Sequence, residues 1–222
     1  MMNAKQLKLL AGGVLILATA YAYAETPVEV KLIAAFEEDR GWCLDLRGGQ
    51  NSGNPIGGLH GHTCYTYNGN GPTPDQAFIK ENILENNEFR LVHFEDTCMT
   101  LYEPLAGSFI SLETCDGRKA QQFVLTETGH IKPLAIPEYC LTVGRAVIPG
   151  GGGRPLHIMR DVTFEACDGA YDDRQTWELR SEWTGPAETT AERPFASNPN
   201  AAPPGMGAGM GMGMGAGMGP QQ

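Results

Sequence analysis

Cys43-Leu44-Asp45-Leu46, then Cys64, then Gln76-Ala77-Phe78 form the stretch that decides the fold, because the chain writes the same pattern three times. The second copy runs Cys98-Met99-Thr100-Leu101, Cys115 and Gln121-Gln122-Phe123. The third runs Cys140-Leu141-Thr142-Val143, Cys167 and Gln175-Thr176-Trp177. A β-type run leads each copy: Leu32-Ile33-Ala34-Ala35-Phe36, Phe89-Arg90-Leu91-Val92 and His130-Ile131. A Gly-containing loop separates the two cysteines of each copy, and the second cysteines recur after 51 and 52 residues, a spacing that marks an internal repeat. Apolar positions such as Phe109, Ile110 and Leu112, or Phe123 and Leu125, sit in runs too short for helices and bounded by Gly, Pro and Asn, so they predict strands. One unit of this size cannot cover its own apolar face. Three units packed around a shared axis give an all-β closed form rather than a solenoid with open edges.

The six cysteines carry no C-x-x-C spacing, which leaves a zinc site or a thioredoxin-type redox pair without support. The repeat pairs them within units, Cys43 with Cys64, Cys98 with Cys115 and Cys140 with Cys167. Each bridge closes a loop of roughly 20 residues, worth about 3 kcal/mol on the chain-entropy scale. Disulfides require an oxidising compartment. Consistent with that, residues 1–24 place Lys5 and Lys8 before the apolar run 9–20 and Ala22-Tyr23-Ala24, the order of a cleavable secretory signal. The apolar run is too short for a span, which needs about 20 residues, so the mature chain is expected without a membrane helix and either secreted or periplasmic. The net charge of −10, with no Lys/Arg cluster, excludes a nucleic-acid backbone as partner. From Thr184 the composition shifts to a 39-residue segment rich in Gly, Ala, Pro and Met, which has no apolar periodicity and predicts a disordered tail over 184–222. Met210, Met212 and Met214 offer soft thioethers, but no His or Cys stands beside them to complete a copper site.

The triplicated Cys-Leu-Asp, Cys and Gln-x-aromatic order, with Asp116-Gly117 and Asp168-Gly169 after the later cysteines, resembles the R-type lectins, whose fold is the ricin B-chain β-trefoil. The likeness covers about residues 28–182, with repeats at about 28–85, 86–128 and 129–182 inside a domain of 25–183. It implies that the glutamine and ring of each motif (Gln76 and Phe78, Gln121 and Phe123, Gln175 and Trp177) are structural, the ring in the core and the amide tying down a turn.

The resemblance also implies a sugar site inside one repeat, since such sites pair a carboxylate or amide that takes hydroxyl hydrogen bonds with a flat face for the ring. In the first repeat the corresponding residues are Asp45, His62, Asp75 and Gln76, with His60 one strand step from His62 and so on the same face. A ring could also come from Trp42, Tyr65 or Tyr67, although packing around the disulfide is the stronger expectation for all three. The other repeats have Thr100 and Thr142 at the acid position and Glu113 and Glu165 at the stacking position, and they read as scaffold copies. Gly150-Gly151-Gly152-Gly153 lengthens the third repeat into a surface loop. No cofactor is expected; a calcium-bridged variant of the site would use Asp45, Gly48 and Asp75. No G-x-S-x-G or H-E-x-x-H motif is present, and a shallow trefoil loop is expected to leave its carboxyls solvated, so the chain does not read as an enzyme. The expected partners are glycans or glycoconjugates. The rival is a protein-binding trefoil with degenerate sugar sites, such as a receptor-binding toxin subunit or an inhibitor.

Overall fold

A computed structural model describes residues 25–48, 53–65, 71–94 and 96–182. The expected signal segment, Tyr67 and the Gly/Met-rich tail lie outside the described residues. Three antiparallel hairpins form the frame. They pair β2 (Trp42–Leu46) with β3 (Leu59–Thr63), β5 (Thr97–Leu101) with β6 (Ile110–Thr114), and β9 (Tyr139–Val143) with β12 (Val162–Ala166). Their registers are the same: Cys43 opposes His62, Cys98 opposes Glu113 and Cys140 opposes Glu165. The acid position therefore falls opposite an equivalent residue each time, in the pairs Asp45–His60, Thr100–Ser111 and Thr142–Thr163. Disulfides join Cys43 to Cys64, Cys98 to Cys115 and Cys140 to Cys167, with Cα separations of 4.9, 5.1 and 5.3 Å.

The remaining strands close the ring of repeats. β1 (Pro27–Leu32) pairs with β2, with β4 (Phe78–Ile79) and with β13 (Trp177–Arg180), so the first and last described strands lie side by side. β7 (Phe123–Leu125) pairs with β8 (Ile131–Pro133) at the junction of the second and third repeats. Short helices α1 (Lys80–Asn86) and α2 (Asp172–Gln175) sit between strands. The architecture is an all-β trefoil. Its axis is filled by matching side chains: Leu44, Met99 and Leu141 follow the first cysteines, and the motif rings Phe78, Phe123 and Trp177 are buried with them. Phe89 bridges Phe78 and Phe123, and Phe123 stacks on Phe164 at 5.7 Å. Each such ring contributes roughly 1.5–3 kcal/mol by leaving water.

Two expected strand positions differ. β1 ends at Leu32, and the run 33–36 turns instead: Glu38 N–H bonds to Ala35 O, Trp42 Nε1 donates to the same carbonyl at 2.9 Å, and Phe36 takes φ +50°. Phe109 lies just before β6 and is 60% exposed, whereas Ile110 and Leu112 point inward. The third repeat's glycine run lies in the surface loop between β10 (Ile148–Pro149) and β11 (Ile158–Arg160), and β11 pairs with β3 of the first repeat, Met159 opposite His62 and Arg160 opposite Gly61.

Candidate functional site

The repeats share one polar clamp. Gln121 Nε2 donates to Thr114 O at 2.9 Å and to Thr100 Oγ1 at 3.2 Å, while its Oε1 accepts from Asp116 N–H at 2.9 Å. Gln76 makes the same three bonds, to Thr63 O, to Asp45 Oδ2 at 2.8 Å and from Tyr65 N–H. Gln175 reaches Ala166 O and Thr142 Oγ1, but its Oε1 is buried without a partner among the described residues. In each repeat one amide thus fixes the chain around the second cysteine and the side chain at the acid position.

Only the first repeat puts a carboxylate into that clamp, and it gathers Asp45, His60, His62, Asp75 and Gln76 into one cluster. β2 presents Asp45 across the ladder to His60, whose Nε2 lies 2.9 Å from Asp45 Oδ1. His62, two residues along β3, bonds Thr63 O through Nδ1 and lies 3.8 Å from Asp45 Oδ2. Asp75, just before the clamp glutamine, accepts from Thr73 Oγ1 at 2.5 Å and from Tyr65 Oη at 2.7 Å. Every oxygen of both carboxyls therefore already has a protein donor. The residues do not fit a calcium ion, since a hard cation needs six to eight oxygen ligands and the groups around these carboxyls are donors. Trp42 is a core residue, its Nε1 bonded to Ala35 O and its ring 4.7 Å from the Arg160 guanidinium. Tyr65 is buried as well.

The cluster is covered. Asp45 is 3% exposed, His62 7% and Asp75 not at all. The β10–β11 hairpin and its loop pack on the His62 and Tyr65 side of the cluster: His157 lies 4.8 Å from the Tyr65 ring at a 30° tilt and meets the His62 ring edge-on at 5.2 Å. Ile158 N–H bonds Thr63 Oγ1, and the Arg40 guanidinium reaches the carbonyls of Pro155 and Leu156. His157 and Thr73 are the members that sequence reasoning missed. The signal for His157 was the 27-residue cysteine spacing of the third repeat, against 21 and 17, together with the glycine run beside that histidine.

Burial sets the electrostatics, and it corrects the expectation of solvated carboxyls. Desolvation raises Asp45 to about 6 against the pull of its bond from Gln76. Asp75 rises to about 7, through burial first and the neighbouring Asp45 charge second. His60 falls to about 3 and His62 also falls, both chiefly because burial disfavours the cation. With Asp45 ionised and His60 neutral, Nε2–H is the donor, which leaves His60 Nδ1 a buried acceptor without a partner among the described residues. Raised carboxyls are a mark of acid–base chemistry, and here both are buried.

No protein family and no curated protein matches the chain by sequence. Among solved structures it is similar to the β-trefoil lectin of the Vibrio vulnificus hemolysin/cytolysin with N-acetyl-D-lactosamine bound, at 16% identity over 74% of this chain and all of that one, TM-score 0.47. It is also similar to cytolethal distending toxin from Actinobacillus actinomycetemcomitans, at 18% identity over 73% and 95% of the two chains, TM-score 0.46. The earthworm R-type lectin C-half in complex with GalNAc shows 12% identity over 71% and 99%, TM-score 0.47. At these identities the likeness concerns the fold, which here stands on the chain's own three-fold register. Among the described residues no helix is long and apolar enough to cross a membrane.

Proposed function

We propose that the protein is an exported, non-enzymatic carbohydrate-binding trefoil whose one competent sugar site is the first-repeat cluster, taken up by a saccharide when the β10–β11 hairpin lifts. One observation carries this reading. The second and third repeats complete the same glutamine clamp with Thr100 and Thr142, so the clamp does not require a charge. Burying two carboxyls there costs stability that a threonine would not, and a costly polar cluster retained at one site of a repeated scaffold is the expected mark of a binding role. In the lifted state Asp45 and Asp75 would take sugar hydroxyls while Tyr65 and His62 would present ring faces.

A glycan array followed by titration of the exported chain tests the proposal. Asp45→Asn and Asp75→Asn should each abolish detectable binding while the fold survives. A hydrogen bond to a charged partner is worth roughly 1.5–3 kcal/mol, much of the ~4 kcal/mol behind a millimolar ligand. Thr100→Ala and Thr142→Ala should leave binding intact. Equal losses at all three repeats would overturn the single-site reading.

A second reading, a protein-binding trefoil, is favoured by a separate feature. Tyr102, Leu105 and Phe109 stand exposed in the loop between β5 and β6, an apolar set of the kind that marks protein contacts. If no glycan binds, and substitution of these three by serine abolishes a measured protein association, that reading replaces the first.

A further inference from the structure

The outer side of the β10–β11 hairpin is apolar. Val147, Ile148 and Leu156 are 44%, 37% and 52% exposed, and Ala146, Pro149 and Pro155 are exposed beside them. The same stretch is basic. From Gly144 to Arg160 it holds three arginines and no acidic residue, in a chain whose net charge is −10. Acidic side chains bordering it are already paired: Glu37 with Arg160, Glu38 with Arg40, whose guanidinium also holds the Pro155 and Leu156 carbonyls, and Asp161 with Arg47. Arg145 and Arg154 are exposed, and neither forms an ion pair among the described residues. The Arg145 guanidinium lies 5.8 Å from the Tyr171 ring centroid. Asp172 and Asp173 follow that tyrosine in α2, so Arg154 is the less compensated cation.

Three features decide what such a surface fits. β10 is the last strand of its sheet, but it has two residues and one is Pro149, which lacks an N–H, so it offers little to a partner's strand. The loop satisfies part of its own backbone, with Gly150 N–H on His157 O at 2.8 Å and His157 N–H on Gly152 O at 2.9 Å, which lowers the cost of leaving bulk water. Each apolar run follows an arginine, 147–149 after Arg145 and 155–156 after Arg154. Aliphatic side chains at the acyl boundary, with long cationic side chains reaching the headgroups, make an interfacial anchor. Uncompensated cations select an anionic surface.

We propose that the β10–β11 hairpin is a membrane-docking element, which lays Val147, Ile148 and Leu156 into the interface of a bilayer and sets Arg154 and Arg145 on its anionic headgroups. The inference stands apart from the sugar reading, since no first-repeat carboxyl takes part.

Flotation of the exported chain with vesicles of equal parts phosphatidylglycerol and phosphatidylcholine, beside vesicles of phosphatidylcholine alone, tests it. The chain should bind the mixed vesicles at least about tenfold more tightly than phosphatidylcholine and come off as salt is added. Arg154→Gln should weaken the binding about fivefold, and Arg145→Gln less. Val147→Ser and Leu156→Ser should each weaken it about threefold. The fluorescence of an Ile148→Trp variant should shift to the blue with the mixed vesicles, and Asp45→Asn should bind as the parent does. Circular dichroism checks that the hairpin variants, all at exposed positions, are folded. Equal binding to both kinds of vesicle, folded Arg154→Gln and Leu156→Ser variants that float like the parent, or no flotation at all would each overturn the proposal. So would soluble polyglutamate bound as tightly as the mixed vesicles, which would assign the hairpin to an acidic protein.

Discussion

Asp75 and Asp45 are the residues at which pH should act on this fold. A carboxyl whose folded value lies above its unfolded one stabilises the protein below pH 4, and that contribution is lost as pH rises through about 6 for Asp45 and about 7 for Asp75. His60 and His62 act in the reverse sense, because their folded values are depressed: their contribution is present above about pH 6.5 and is lost as pH falls. Asp75→Asn should therefore gain melting temperature relative to the parent as pH rises from 5 to 8, by several degrees at the upper end. A pH-independent difference in melting scans would contradict the burial of that carboxyl. The clamp glutamines provide a second comparison. Gln121 uses both ends of its amide and Gln175 leaves Oε1 unpaired, so Gln121→Ala should cost about 1–3 kcal/mol in urea unfolding and Gln175→Ala less. The reverse order would show that the clamp does not carry the stability assigned to it.

At the scale of elements, the β10–β11 hairpin is the part of the third repeat that packs on the first, and in the proposed function it is the part that lifts. It joins the first repeat through two paired positions of β3, the Ile158–Thr63 bond, the Arg40 fork, the His157 ring and Arg160, which pairs with Glu37 and lies over Trp42. Gly153 is a sensitive point: at φ +74°, a Cβ there would lie 2.2 Å from His157 Cδ2 and 2.9 Å from Pro155 O. Gly153→Ala should cost at least about 1 kcal/mol and speed amide exchange along β11 and β3, leaving β5–β6 protected. Unchanged exchange at Met159 and His62 would mean the cover does not depend on that turn. The same element marks the limit of what the sequence could tell. The hairpins β2–β3, β5–β6 and β9–β12 were legible because cysteine, apolar and glutamine positions recur locally. Pairing of Met159 with His62 joins residues far apart in the chain, and no period records it. The run 33–36 misled for a related reason: its apolar side chains suggested a strand, but the Ala35 carbonyl is drawn into a turn by the Trp42 indole.

Across the whole molecule, the three-fold frame and the asymmetry among the repeats have different origins. The frame follows from what the repeats share: one register, one disulfide each, one clamp and a common aromatic axis, closed where β1 meets β13. The asymmetry follows from what they do not share, two carboxyls in the first repeat and ten more residues between cysteines in the third than in the second. Asp45, His60, His62, Asp75 and Gln76 were readable from the sequence, but Thr73, His157, the burial of the cluster and its raised or depressed pKa values were not, because these depend on how the folded chain packs around it. The most direct measurement is a saccharide titration of a variant in which residues 146–157 are replaced by a short turn, run beside the parent chain and beside the same variant carrying Asp45→Asn. With the cover removed, a neutral sugar should bind more tightly than to the parent, and Asp45→Asn should abolish the gain. A folded, uncovered variant that binds no sugar, or one whose binding survives Asp45→Asn, would contradict a sugar site closed by the third repeat.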